Sequence, residues 1–271
     1  MRAVAATSAG APPVTIPQIP HTMAKRYAVV SCHVERPLDD RVWAAFAELQ
    51  AHPPGGIPVA ALIRPPDAEA GEHDEATWLD RARAAAARGP FGHHTHFTSP
   101  THARPTGGNT AERVAREGAW LGAQGLAPTL FCGGGWYTDA SVAAACAALG
   151  YVDVTPRATR PPYLDDGAAW AQLDRPARID LGATLLAAVP TTHGAGDLLR
   201  AVVRPGLSEQ VHVYFHDTDL VDPRRRRLIA LALRLLVRRR PGSDLDAVAA
   251  TLASAPLRRW GDVARGAETS C

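Results

Sequence analysis

The stretch Tyr27-Ala28-Val29-Val30-Ser31-Cys32-His33-Val34-Glu35 decides the fold. It is a short run of apolar and β-branched residues that turns polar only at its end, the profile of a buried parallel strand. Asp39 and Asp40 follow, where a helix N-terminus wants carboxylates, ahead of a helical stretch over Val42–Gln50. The same alternation continues downstream. Ile57–Ile63 reads as a second strand, followed by a helix over Glu75–Arg88. Phe91–Phe97 reads as a third, followed by a helix over Thr110–Gln124. Thr129–Phe131 is a fourth strand, and the helix over Asp139–Leu149 stops at Gly150, a residue suited to a helix C-terminus. Tyr151–Val154, Thr184–Val189 and Gln210–Phe215 complete the strands, and helices near Pro223–Arg238 and Asp244–Ala253 close the chain. Strands alternating with helices predict an α/β fold of about seven parallel strands with helices outside. Thr155–Asp180 carries Pro, Arg and Asp with no period and is expected to run irregularly over one end of the barrel.

Composition narrows the function classes. Hydrophobic residues make up 46% of the 271, enough for a sizeable core, whereas aromatics are only 6%, so that core leans on Ala, Leu and Val. The formal net charge is +2, which calls for neither nucleic acid nor an anionic membrane as partner. Arg224–Arg227 and Arg238–Arg240 flank the apolar run Leu228–Val237 and read as solvated helix ends. No apolar run approaches the ~20 residues that span a bilayer. Residues 1–24, rich in Ala, Pro and Thr and without an apolar signal core, are expected to be a flexible leader, with Met23 an alternative start. Residues 25–271 are expected to form one domain, located in the cytoplasm. Cysteines at 32, 132, 146 and 271 lack zinc-ribbon spacing, and Cys32 and Cys146 read as buried thiols.

Chemistry concentrates at strand ends, where barrels of parallel strands place their sites. Gly92-His93-His94-Thr95-His96-Phe97 is the densest signal. Alternate residues of a strand share a face, so His94 and His96 point together and can bind one metal ion, while His93 points away. His33 and Glu35 likewise share a face of the first strand and suit a base and a metal ligand. Cys132-Gly133-Gly134-Gly135-Trp136-Tyr137 follows the fourth strand. Its glycines allow close backbone approach, and free N–H groups there can hold a developing oxyanion. Val211-His212-Val213-Tyr214-Phe215-His216-Asp217 delivers His216 at a strand end with Asp217 and Asp219 nearby, which suits a general acid. Each motif taken singly is an ordinary strand end or turn; their coincidence at one end of the sheet makes the case.

In this order, from about Tyr27 to the last helices, the motifs resemble the polysaccharide deacetylase superfamily, the carbohydrate esterase family 4 type with NodB homology. The resemblance implies an incomplete, distorted (β/α) barrel and a metal-dependent hydrolase acting on carbon–nitrogen bonds other than peptide bonds. Members carry paired Asp residues on the first strand, one a base and one a ligand; here Glu35 falls on the ligand position and His33 on the base position. Members supply two metal histidines from a second motif. His94 fits the first, and strand geometry moves the second role to His96. Cys132 stands where the family has an Arg that pairs with the catalytic Asp, so both partners of that pair are replaced, in a mutually consistent way. His216 fits the family's general acid; His193 matches no motif.

The implied mechanism uses a divalent ion, Zn²⁺ by preference, on Glu35, His94 and His96. His33 is the base and His216 the acid, and Gly135, Trp136 and Tyr137 serve the oxyanion and the substrate. The partner is then a small N-acylated sugar or amide. The rival expectation is a barrel without catalysis that binds a sugar or nucleotide-sugar, and a second rival is another C–N hydrolase or isomerase acting on a small amide.

Overall fold

The central strands of the sheet have one face toward helices and one toward an inner layer, and this division positions everything that follows. The computed structural model describes residues 26–161, 164 and 167–266; the expected leader and Cys271 lie outside them. β1 (Tyr27–Val34), β2 (Val59–Ile63), β3 (Phe91–Thr95), β4 (Leu130–Gly133) and β5 (Val152–Asp153) are joined by α1 (Asp40–Ala51), α2 (Glu75–Ala86), α3 (Thr110–Ala123) and α4 (Ala140–Ala148). β6 (Trp170–Ala171), β7 (Ala177–Asp180), β8 (Leu185–Ala188) and β9 (His193–Gly194) follow, then α5 (Ala195–Val202) and β10 (Gln210–His216). The chain ends with α6 (Pro223–Val237), α7 (Leu245–Ala249), β11 (Leu257–Arg259), α8 (Trp260–Val263) and β12 (Ala264–Arg265).

Among the described residues, ten strands form one sheet in the order β11-β7-β8-β5-β4-β3-β2-β1-β10-β9. Neighbours from β9 through β10, β1 to β5 and β8 run parallel, whereas β7 is antiparallel to β8. The sheet does not close on itself, so the architecture is an incomplete (β/α) barrel. Two departures from expectation concern its edge. The stretch read as irregular ends in β7, whose alternating residues build a hairpin with β8 through a turn in which Gly182 has φ 88°. α5, with β9, falls where no element was expected, because its eight residues include a glycine and lack a long apolar period.

Caps agree with the sequence. Asp39 accepts hydrogen bonds from Arg41 N and Val42 N at the start of α1, and Gly150, φ 74°, follows α4. On the outer face, Ala28, Val30, Cys32 and Val34 of β1 join Phe46, Trp78 and Leu233 of the helices in one buried cluster. On the inner face, Tyr27 and Val29 join Leu62, Leu130 and Val154, with Leu245 and Val248 of α7 packed into the same cluster. Further along β1 that inner face turns polar, with buried Ser31 and His33. The apolar half of the inner face anchors the strands; the polar half, at their C-terminal ends, carries the chemistry. Cys32, Cys132 and Cys146 are free and buried. No helix among the described residues is long and apolar enough to cross a membrane.

Candidate metal centre

Register brings the motifs together. Parallel pairing sets His33 beside His216 and His94 beside Cys132. The ligand atoms of Glu35, His94 and His96 lie within 4.8 Å of one another, as do those of His33, Glu35 and His216 and those of His33, His94 and Cys132. The four histidines and the glutamate singled out in the sequence therefore converge on one point.

Tautomers follow from the hydrogen-bond partners. His94 Nδ1 lies 2.8 Å from the carbonyl of Cys132, and His96 Nδ1 lies 3.0 Å from the carbonyl of Pro100. A carbonyl only accepts, so both Nδ1 atoms carry the proton and donate. The two Nε2 atoms are left facing each other at 3.2 Å, with Glu35 Oε1 3.3 Å from His96 and 3.7 Å from His94. Burial outweighs the neighbouring carboxylate at His94 and lowers its pKa to about 4, so its Nε2 presents a lone pair at neutral pH. Acceptors held this close need a positive charge between them, either a proton on His96 or a metal ion. Donors bound tetrahedrally at about 2.0–2.1 Å stand about 3.3 Å apart, so the observed spacing fits a zinc-type ion, and the Nδ1-to-carbonyl bonds are the usual outer support of metal histidines.

The groups around this point divide by charge. For Glu35 burial favours the neutral acid, but His94, His96 and the charge of His216 outweigh it and hold the carboxyl well below the usual range. For His216 burial opposes protonation, but Asp219 and Glu35 prevail and raise it above the ordinary value. Asp219 Oδ2 also accepts from His216 N at 3.1 Å. His33 is the opposite case. Burial, then the neighbouring charges of His94 and His216, push it well below the ordinary histidine value, and its Nε2 is buried without a partner among the described residues. Cys132 Sγ stays a thiol, because burial and then Asp153 push it up. That position serves the site through its carbonyl.

The glycine-rich turn is arranged differently from expectation. A side chain at Gly134 would meet the carbonyls of Thr95 and Ala103 at 2.6 and 2.8 Å, and one at Gly135, φ 61°, would run into Arg104. The glycines are thus required by close packing. Tyr137 is not in the site: its N–H donates to Gly134 O, its hydroxyl bonds Asp139 at 2.5 Å and its ring packs on Phe97. Trp136 does reach the cluster, its ring 5.4 Å from that of His33 and 4.7 Å from that of Tyr214.

Sequence reasoning left out Tyr214 and Arg157. Tyr214 lies two residues before His216 on the same strand face, 5.3 Å from the His33 ring, and strand alternation was the signal that could have found it. Arg157 lies over Trp136 at 4.4 Å and over Tyr214 at 5.3 Å, with no local pattern to reveal it. His193 is half-buried on β9 and bonds Thr192 Oγ1.

No family model and no curated protein matches the chain by sequence. Among solved structures, the 4-alpha-glucanotransferase from Thermococcus litoralis superposes with a TM-score of 0.56 at 10% identity. The alignment covers 88% of this chain and 42% of that one, so the chain spans less than half the length of that enzyme. At this identity the likeness shows the fold alone. A family 4 carbohydrate esterase from Streptomyces lividans, in complex with acetate, superposes with a TM-score of 0.40 at 14% identity over 84% of this chain and 88% of that one, too loosely to bear on function.

Proposed function

We propose that this chain is a metal-dependent hydrolase of the polysaccharide deacetylase type, which removes an N-acetyl or related acyl group from a sugar or small amide. The observation that carries the reading is the pair of outward-tethered imidazoles, His94 and His96, whose Nε2 atoms face each other beside Glu35. These three residues would hold a divalent ion, with zinc suited to two imidazoles and a carboxylate. Such an ion polarises a carbonyl and makes water a nucleophile at neutral pH.

This chain's own residues supply the rest. His216 enters protonated, supported by Asp219 and Glu35, and gives its proton to the leaving nitrogen. His33 enters neutral and takes the proton of the attacking water. Trp136 gives the substrate an apolar wall beside His33. One observation favours the rival reading of a barrel that binds a sugar without turnover: the depressed basicity of His33 is a poor property for a base.

Metal content by mass spectrometry, with hydrolysis of N-acetylated sugars and simple amides, tests both. The expected result is about one zinc per chain in the wild type, lost together with hydrolysis in His94→Ala. Metal retained by that variant, or absent from the wild type after zinc is added back, sinks the proposal. Metal without turnover of any acylated sugar or amide leaves the binding barrel.

A further inference from the structure

Among the described residues the two buried arginines are satisfied, whereas a half-buried one is not. Arg64 forks onto Glu72 and also donates to the carbonyls of Glu35 and Pro65. Arg240 donates to the carbonyls of Ser208, Arg239 and Leu207. Arg157 is different: its Nε and Nη1 are buried with no hydrogen-bond partner among the described residues. Those atoms carry three of the five N–H donors of a guanidinium, and leaving buried donors unpaired is costly.

The surroundings offer a cage without a counter-ion among the described residues. The guanidinium lies over the Trp136 ring at 4.4 Å and over the Tyr214 ring at 5.3 Å. Its charge reaches His212, His193 and Cys132, and none of these is an anion. Trp136 has φ 64°, and among the described residues it is the only non-glycine with positive φ. Such strain in a bulky residue clusters at functional sites. Its ring neighbours both the guanidinium, at 4.4 Å, and the His33 ring, at 5.4 Å. Tyr214, the other wall of the cage, also lines a cavity of about 570 Å³ together with His216, Gly194 and Leu228. A molecule bound in that cavity at His216 therefore touches the ring that covers Arg157, a cation with no counter-ion among the described residues.

We infer that Arg157, clamped by Trp136 and Tyr214, binds an anionic oxygen group of the substrate, a carboxylate or a phosphate, so that the site takes a charged N-acylated molecule in preference to a neutral one. The substrate part of this inference rests on the hydrolase reading; the anion site does not. A guanidinium fork matches the oxygens of either group and discriminates against a spherical halide.

The experiment compares wild type, Arg157→Met, Arg157→Lys and His94→Ala in thermal unfolding and calorimetric titration, with acetate and with phosphate against chloride at equal ionic strength. The wild type and His94→Ala are expected to be stabilised by acetate, phosphate or both, and the responding salt identifies the group. Arg157→Met is expected to be no less stable than the wild type in chloride and to bind the same oxyanion about tenfold or more weakly. Arg157→Lys keeps the charge, loses the fork, and is expected to fall between. In turnover, N-acetylmuramic acid is expected to be preferred over N-acetylglucosamine by the wild type and not by Arg157→Met. A wild type equally stabilised by chloride, an unchanged oxyanion response in Arg157→Met or Arg157→Lys, or active enzyme with equal turnover of the two sugars overturns the inference. An oxyanion response that depends on Arg157 in a protein with neither metal nor turnover instead overturns the hydrolase reading and leaves the anion site standing.

Discussion

His93 and the pair His94 and His96 sit on one short strand, yet their surroundings differ in kind. His93 points outward to α3, where its Nε2 lies 2.9 Å from Glu117. Thr95 Oγ1 donates to the same carboxylate at 2.9 Å, and Arg113 Nε donates to it at 2.8 Å. Arg113 in turn reaches Asp67 at 3.3 Å. Here the carboxylate already has its cation, and the network ties strand to helix. On the inner face the Nδ1 atoms of His94 and His96 point away to carbonyls, and their Nε2 atoms converge on a carboxylate. The difference teaches that histidine count does not mark a site; what marks it is which nitrogen remains available once the backbone has taken the other.

The largest expected effect attacks the inner face. Glu35→Ala should lower kcat/KM by about a thousandfold or more with loss of bound metal, while His93→Phe keeps its metal; equal metal loss in both would erase the distinction. Next comes the outer network. Glu117→Ala removes the carboxylate shared by His93, Thr95 and Arg113 and should cost about 2–3 kcal/mol in denaturant unfolding, with metal content unchanged.

Asp153 sharpens the contrast with Glu35. It is buried, accepts from Thr155 N at 2.8 Å, and burial raises its pKa to about 6 against that bond. A folded-state value above the unfolded one favours folding at low pH. The contribution is full below the ordinary carboxylate range and is lost as pH rises through about 6. Stability should therefore fall by up to about 3 kcal/mol between pH 4 and pH 6 relative to Asp153→Asn, measured by denaturant titration at both values. Parallel curves for the two proteins would show that Asp153 titrates normally. The smallest effect is expected from Tyr137→Phe. It removes the bond to Asp139, outside the cluster, and should change kcat/KM by less than about twofold.

Much of this was legible because strand geometry is local. A period of two put His94 with His96 and His33 with Glu35, and set His93 apart, before any tertiary contact was known. The apolar runs gave the parallel strands, and Asp39 and Gly150 gave helix ends where they occur. The turn Gly133–Tyr137 was misjudged, because its glycines were read as open backbone when neighbouring carbonyls and Arg104 fill the space. The hairpin of β7 and β8 went unseen because its register depends on a partner strand rather than on its own composition.

The sequence by itself determined which residues share a strand face and which strand ends are polar, since both follow from the alternation of consecutive Cβ atoms. Tertiary packing alone set His33 beside His216, turned His94 by the carbonyl of Cys132, and left Arg157 between two rings with no counter-ion among the described residues. Those relations join residues tens to hundreds of positions apart, and the register of strand pairing, which no local pattern specifies, sets the distances between them.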